Sequence, residues 1–413
     1  VTSPETACNV PARQAATRVI SGCCRILLCC FSVSGNAEIL GYAGLQTRWF
    51  PDTALEPQQK DTAYSMVVAP EWYQRFNNND DSVNVKLFYR HDSADDKRSH
   101  GDIREAYWQH VGQDYEFSLG INKLFWGVTE SQHLVDIVNQ TDLVEAPDGE
   151  EKLGQTMAHL ALLQDWGVVD IILLPGFRER SFAGENGRLR SIPLTIEDGR
   201  FDSGAGDKHS DAALRWSHYL GDVSLGISSF WGTSREPLLE VATNNGNVVL
   251  QPFYPQIFQN GLTAQYIVGD WIWKLETIYR EYLGDTQGID FFASTSGVEK
   301  AIVGIWNNWD LGVLAEYSQD SRGNEATSLY QNDLFIGGRL SFNDIAGSEI
   351  LAGVVQDLSK AGSQLAFVEA STRLGSSTRL SLEFYYFSAE DNSAPLFLLR
   401  RDSFVELAID YYF

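Results

Sequence analysis

The chain has 413 residues, with 55 acidic and 31 basic side chains for a net charge of −24, 44% hydrophobic residues, 35 Gly and 12% aromatics. That much apolar material builds a large core and excludes a disordered chain, and the acidic balance excludes a protein that grips nucleic-acid phosphates. No run reaches the roughly 20 apolar residues of a transmembrane helix, which leaves a closed β-barrel as the way such a chain crosses a bilayer.

The first 37 residues differ from the rest. All five cysteines lie there, at Cys8, Cys23, Cys24, Cys29 and Cys30. Arg13 and Arg18 precede a short, mostly apolar stretch from Ile20 to Val33, and Gly35-Asn36-Ala37 supplies small residues at the cleavage-determining positions. This layout predicts a removed secretory signal peptide over 1–37. Two other readings compete. A Cys-rich metal or redox element would need CxxC spacing or a nearby His rather than adjacent Cys-Cys pairs. A lipoprotein site at Ile20-Ser21-Gly22-Cys23 would need less polar residues before it. The remaining chain, 38–413, carries about −26 and no cysteine.

From residue 40 onward the pattern has period two. Tyr115, Phe117, Leu119 and Ile121 alternate with Glu116, Ser118, Gly120 and Asn122; Val223, Leu225 and Ile227 alternate with Ser224, Gly226 and Ser228. Such alternation gives strands with one apolar and one polar face. Eighteen strands are predicted, near 40–50, 62–75, 83–92, 102–112, 114–125, 156–165, 167–176, 210–219, 222–232, 259–268, 270–283, 291–305, 309–319, 331–343, 348–358, 363–374, 377–388 and 402–413, with sixteen as the alternative. Most match the roughly 9–11 residues that a tilted strand needs to cross a bilayer.

The connections add topology. Those after even-numbered strands are tight, such as Leu220-Gly221, Gly269 and Gly375-Ser376; those after odd-numbered strands are long and polar, at 51–61, 93–101, 126–155, 177–209, 233–258, 284–290, 320–330 and 389–401. The exception is the short link near Lys360-Ala361-Gly362. Alternating short and long links are the meander of a single all-β, antiparallel, up-and-down transmembrane barrel, with periplasmic turns, extracellular loops and both ends in the periplasm.

The last strand puts Val405, Leu407, Ile409, Tyr411 and Phe413 on one face and Glu406, Ala408, Asp410 and Tyr412 on the other. Polar-face charges recur along the chain: Arg215, Lys274, Glu276, Arg280, Glu316, Arg339, Glu369, Arg373, Arg379 and Glu383. These are the candidate lumen wall. So many interior charges cannot fill a dry core, so the expected barrel is wide and hydrated. Pairs such as Lys274/Glu276 and Arg379/Glu383 would set a transverse field or stiffen the wall as salt bridges. Aromatics gather near strand ends, at Trp49-Phe50, Phe125-Trp126, Phe230-Trp231, Trp271 with Trp273, Trp306 with Trp309, and Tyr411-Tyr412-Phe413, as interfacial girdles do.

The terminal Tyr411-Tyr412-Phe413 with its alternating upstream residues resembles the last strand of Gram-negative outer-membrane β-barrels. That resemblance implies a bacterial outer-membrane location and makes Tyr411 and Phe413 the candidate signal for the barrel assembly machinery. Lys123-Leu124-Phe125-Trp126-Gly127 followed by Asn139-Gln140-Thr141-Asp142 is similar to uncharacterised porin-like proteins and to alginate-export-type barrels of eighteen strands. The predicted strands begin almost at Glu38, and the sequence does not resemble the plug domain of TonB-dependent receptors. In porin-like barrels the third loop often folds inward, which makes loop 126–155 the candidate constriction, with Glu130, Asp136, Asp142 and Glu145 as its charged residues; an outward, solvated loop is the competing reading. Leu134, Val135, Ile137 and Val138 favour the inward one. Carboxylates beside a narrow aqueous path attract cations.

Loop 177–209 holds Arg178, Arg180, Arg188, Arg190 and Arg200. They form a basic patch for an anionic solute or lipopolysaccharide phosphates, or they pair with the loop's own acids Glu179, Glu185, Glu197, Asp198 and Asp202. The sequence has no phosphate-binding Gly loop, HExxH or GxSxG. His159 would have to meet a Ser and an acid across the barrel, as in an outer-membrane phospholipase, and the spacing gives no support for this. The leading expectation is a passive channel for small hydrophilic solutes with no cofactor and no metal, and not an enzyme. Its expected partners are outer-membrane lipid, lipopolysaccharide and the assembly machinery. A non-conducting structural or adhesion barrel working through its loops is the alternative. The solute and the oligomeric state are left open.

Overall fold

The computed structural model describes residues 37–145, 148–190, 194–284 and 288–413. The predicted signal segment, apart from Ala37, lies outside the described residues. In chain order the strands are β1 (Ala37–Trp49), β2 (Thr62–Phe76), β3 (Asp81–Asp92), β4 (His100–Val111), β5 (Tyr115–Asn122), β6 (Gln155–Gln164), β7 (Gly167–Pro175), β8 (Arg200–Phe201), β9 (Ser210–Leu220), β10 (Val223–Thr233) and β11 (Leu238–Asn244). They continue as β12 (Asn247–Tyr254), β13 (Gln256–Val268), β14 (Trp271–Tyr282), β15 (Phe291–Trp306), β16 (Trp309–Asp320), β17 (Asn332–Ser341), β18 (Glu349–Asp357), β19 (Gln364–Leu374), β20 (Thr378–Ser388) and β21 (Phe404–Tyr412). Among the described residues the helical segments are short 3-10 turns, and no helix is long and apolar enough to cross a membrane.

Eighteen of these strands form one sheet. Each pairs antiparallel with the next barrel strand, and β1 closes the ring on β21 from Tyr42↔Tyr412 to Trp49↔Val405. All eighteen predicted strands are present. Closure leaves no free edge, so every strand finds backbone partners on both sides.

The tight links use the residues their geometry demands. Gly221, Gly269 and Asn307 open two-residue turns with φ of 64°, 59° and 55°, the left-handed region that Gly and Asn tolerate. The sequence predicts one long polar loop over 233–258. The connection instead contains the hairpin β11–β12, to which β8 adds in parallel through Phe253↔Arg200 and Tyr254↔Phe201. The signal was present in the sequence: Asn245-Gly246, with φ of 50° and 84°, is the strongest short-range hairpin dipeptide.

The outward face is apolar. On β21, Leu407 and Ile409 are exposed while Glu406 and Ala408 are buried. Exposed rings form two belts. Trp166, Tyr219, Trp306 and Tyr411 lie toward the turns; Trp49, Tyr64, Trp231 and Tyr386 lie toward the long loops. The predicted girdle residues Phe50 and Phe230 are instead buried inside, at 3% and 1% exposure, because neighbours along a strand face opposite ways. A closed sheet with an apolar, aromatic-rimmed exterior is the form in which β-chains span a bilayer.

Candidate functional site: a loop folded into the lumen

The described residues of the third long connection, 123–145 and 148–154, run inside the barrel. Two wall carboxylates hold it there. Glu276 Oε1 accepts hydrogen bonds from the Val128 N–H (2.6 Å), the Thr129 N–H (3.0 Å) and the Thr129 hydroxyl (2.8 Å), and its Oε2 accepts the Val135 N–H at 3.2 Å. Glu316 accepts the N–H groups of Glu130 (2.9 Å) and Ser131 (2.8 Å) and the Ser131 hydroxyl (2.7 Å). Both carboxylates are buried, at 0% and 1% exposure. Their charge replaces the water that these loop N–H groups would otherwise need.

Apolar packing completes the anchor. Val135, Ile137 and Val138 are buried against Trp126, Met157, Ile172, Leu174 and Ile278. Each such side chain contributes about 1.5–3 kcal/mol on removal from water. The inward placement expected from Leu134, Val135, Ile137 and Val138 therefore has a direct physical cause.

The four predicted constriction acids separate into two groups. Glu130 borders open space and pairs with Arg339 at 3.0 Å. The other three are sealed. Asp142 lies 2.8 Å from Arg104, and Glu145 lies 2.7 Å from Arg90. Arg104 is the extra residue of a β-bulge: Lys86 pairs with Glu105 while Leu87 pairs with Ile103. Such bulges re-aim a side chain, and this one turns Arg104 inward. Asp136 lies 3.5 Å from Lys152, with both oxygens buried and unbonded among the described residues, and burial pushes its carboxyl up from the usual range.

The candidate wall charges are inward, but their partners differ from those expected. Lys274 pairs with Glu299 at 2.8 Å rather than with Glu276, because side chains two apart on one strand point the same way whereas the next strand offers a close partner. Arg379 pairs with Glu349 at 3.7 Å rather than with Glu383 and stands opposite Arg373. Arg280 binds Glu236 at 2.8 Å and Gln259 at 2.8 Å. Arg215 stands opposite Asp170, with its guanidinium 5.8 Å from the Trp126 ring centre. Glu383 sits in register between Glu369 and Glu406. Part of the wall charge is thus met by the in-folded loop and by cross-strand pairs, while like charges stand side by side at Arg373/Arg379 and Glu369/Glu383/Glu406.

Beside the loop remains a cavity of about 470 Å³. Strands β17–β20 give it an apolar wall, and Glu130, Asp148 and Glu150 of the loop give it a polar one. His133 pairs with Glu150 at 2.9 Å, with Glu276 3.9 Å away. Burial disfavours its cation, but these two carboxylates outweigh that and raise its pKa to about 10, so it is charged at neutral pH. Asp148 and Glu150 were not among the predicted site residues; their position depends on how the loop turns back inside the barrel.

Three of the five arginines of the fourth long connection pair with acids remote in sequence rather than with their own, while Arg180 reaches Gln140 and Arg190 the Leu194 carbonyl. Arg178 binds Asp102 at 2.8 Å, Arg200 binds Glu240 at 2.6 Å, and Arg188 binds Asp402 at 2.7 Å and Asp61 at 3.2 Å. His159 does meet an acid, Asp170 at 2.8 Å, and stands opposite Ser118. The Ser118 hydroxyl is closed to solvent and bonds to none of the described residues. Tyr411 and Phe413 face outward on the closing strand.

No protein family and no curated protein matches the sequence. Solved structures with a similar chain path include a loop-deletion mutant of OmpT, an outer membrane protein of Vibrio cholerae, at 11% identity and a TM-score of 0.48, covering 92% of this chain and 100% of that one. A triple mutant of the Rh. blastica porin follows at 12% identity and a TM-score of 0.44, again with 92% and 100% covered. The closed sheet, its apolar, aromatic-rimmed exterior and the in-folded third loop make this chain an eighteen-stranded antiparallel β-barrel of the form that spans a bilayer.

Proposed function

We propose that the protein is a passive channel for small hydrophilic solutes, narrowed by loop 123–154. The observation that carries this reading is the pinning of that loop by Glu276 and Glu316, with open space left beside it. Glu130, Asp148, Glu150 and Glu369 border that space, and carboxylates along a narrow aqueous path with low-dielectric walls favour cations. Diffusion alone drives passage. No cofactor or energy input enters, and the wall does no chemistry. Lipid and lipopolysaccharide surround the barrel, and the assembly machinery reads its last strand.

The test is conductance of the refolded 38–413 chain in a planar bilayer under a KCl gradient. Discrete steps with a cation-selective reversal potential are expected. Silence from folded, inserted protein would overturn the channel reading in favour of a structural or adhesion barrel. One feature supports that second reading: Arg188 ties three long connections together over the barrel mouth, through Asp61, Asp402 and the Asp52 carbonyl.

A further inference from the structure

The lumen cavity has a more specific chemistry than a general aqueous path. Its barrel wall is a row of stacked rings. Phe335 on β17 stacks on Phe367 of β19 at 6.0 Å and 16°, and Phe367 stacks on Tyr385 of β20 at 5.8 Å and 22°. Tyr385 in turn stacks on Phe404 of β21 at 5.1 Å and 13°.

The acidic side of the cavity is not balanced. Glu130 has Arg339 and Glu150 has His133. Asp148 and Glu369 have no ion pair among the described residues. Both instead converge on one hydroxyl: Tyr385 Oη lies 3.1 Å from Asp148 Oδ2 and 2.7 Å from Glu369 Oε1. A phenol carries one proton and donates one hydrogen bond at a time. The two carboxylates therefore share that one proton, and the further donor to the pair is the Glu150 N–H, which reaches Asp148 Oδ1 at 3.0 Å. Asp148 is exposed to the cavity and Glu369 half-buried, and two like charges this close repel unless a cation joins them.

We infer that this cavity is a binding site for a small organic cation, with an ammonium held between Asp148 and Glu369 and an apolar body laid on Phe367 and Phe335. The inference rests on the channel reading for its biological sense, but not for its geometry. The volume suits it, since small-molecule sites run from about 300 to 1,000 Å³. An aromatic face adjoining carboxylates is the arrangement that holds alkylammonium groups. A bare metal cation would gain nothing from the ring wall. A neutral sugar stacks on rings too, but it leaves both carboxylate charges in place.

The experiment uses the folded 38–413 barrel in detergent and measures calorimetric binding of benzyltrimethylammonium, with benzyl alcohol and maltose as neutral probes. Selective binding of the cation is expected, weakened roughly tenfold by Glu369→Gln and by Phe367→Leu, with the cold heat-shifted band on gels confirming each variant's fold. Equal binding of benzyl alcohol would make the site merely apolar, and preferential binding of maltose would make it a sugar site. Either outcome overturns the inference, as does absence of cation binding to folded protein. Bilayer recordings separate the two readings. Binding without conductance removes the channel and keeps the site; conductance unaffected by millimolar probe, together with silent calorimetry, removes the site and keeps the channel.

Discussion

A Cβ placed on Gly353 would lie 2.3 Å from the ring of Phe335 and 2.9 Å from that of Phe367. The missing side chain on β18 is what lets the two rings lean over it and stack. Gly353→Ala should push Phe335 aside at a cost of about 1–3 kcal/mol, the range for overpacking, while the barrel still closes. The change should appear as an altered near-UV circular dichroism spectrum and weaker binding of an aromatic cation. An unchanged spectrum and affinity would mean that the stack is not held by this contact.

Removing the Glu276 carboxylate leaves the N–H groups of Val128, Thr129 and Val135 without their acceptor inside the barrel. Buried donors stranded in this way cost about 1–3 kcal/mol each, and three are stranded together. Glu276→Ala should therefore loosen loop 123–154, giving larger and noisier conductance steps in a planar bilayer. Steps identical to those of the parent would place the loop outside the conducting path.

Arg188 reaches Asp402 and Asp61 and lies over the Phe50 ring at 4.5 Å. Arg188–Asp402 is the buried pair, and truncating one partner of such a pair typically costs about 3–5 kcal/mol. Arg188→Ala should free the connections 50–61, 176–209 and 389–403 without disturbing the wall. Limited proteolysis of the folded barrel should then cut within these segments. Resistance equal to that of the parent would show that Arg188 is not what holds them.

Glu236 offers a pH test. Burial works against its charge, but Arg280, Arg322 and the Thr327 hydroxyl outweigh that and hold its pKa at about 2, against 4.5 ordinarily. A lowered folded-state pKa adds stability that is complete above the unfolded value and is lost as pH falls through the folded one. The melting-temperature gap between the parent and Glu236→Gln should thus be constant above about pH 5 and close as pH approaches 2. A gap independent of pH over this range would remove Glu236 from the account.

The last strand closes on the first, and the Phe413 N–H donates to the Gly41 carbonyl at 3.0 Å. Phe413 itself faces outward, so its ring is free to be recognised before insertion. Phe413→Ala should leave the refolded barrel nearly as stable and lower its yield in the outer membrane of living cells. Equal yields would dismiss the terminal ring as an assembly mark.

Sequence alone determined the wall of this protein. Period two fixes which side chain faces lipid, and the length of nearly every link, the short one near Lys360 apart, fixes which end of the barrel it joins; both are local, so strands such as Tyr115–Asn122 and Phe404–Tyr412 are readable one at a time. The hairpin around Asn245-Gly246 was equally readable. The tertiary structure decided the interior. Thr129 finds Glu276 147 residues away, Ser131 finds Glu316 185 residues away, and Asp148 meets Tyr385 237 residues away. Closure of the ring makes those encounters, and no spacing along the chain encodes them. A charged residue on the polar face of a strand looks the same in sequence whether water, a loop amide or an arginine awaits it, because only the folded loop determines which of these fills the space opposite.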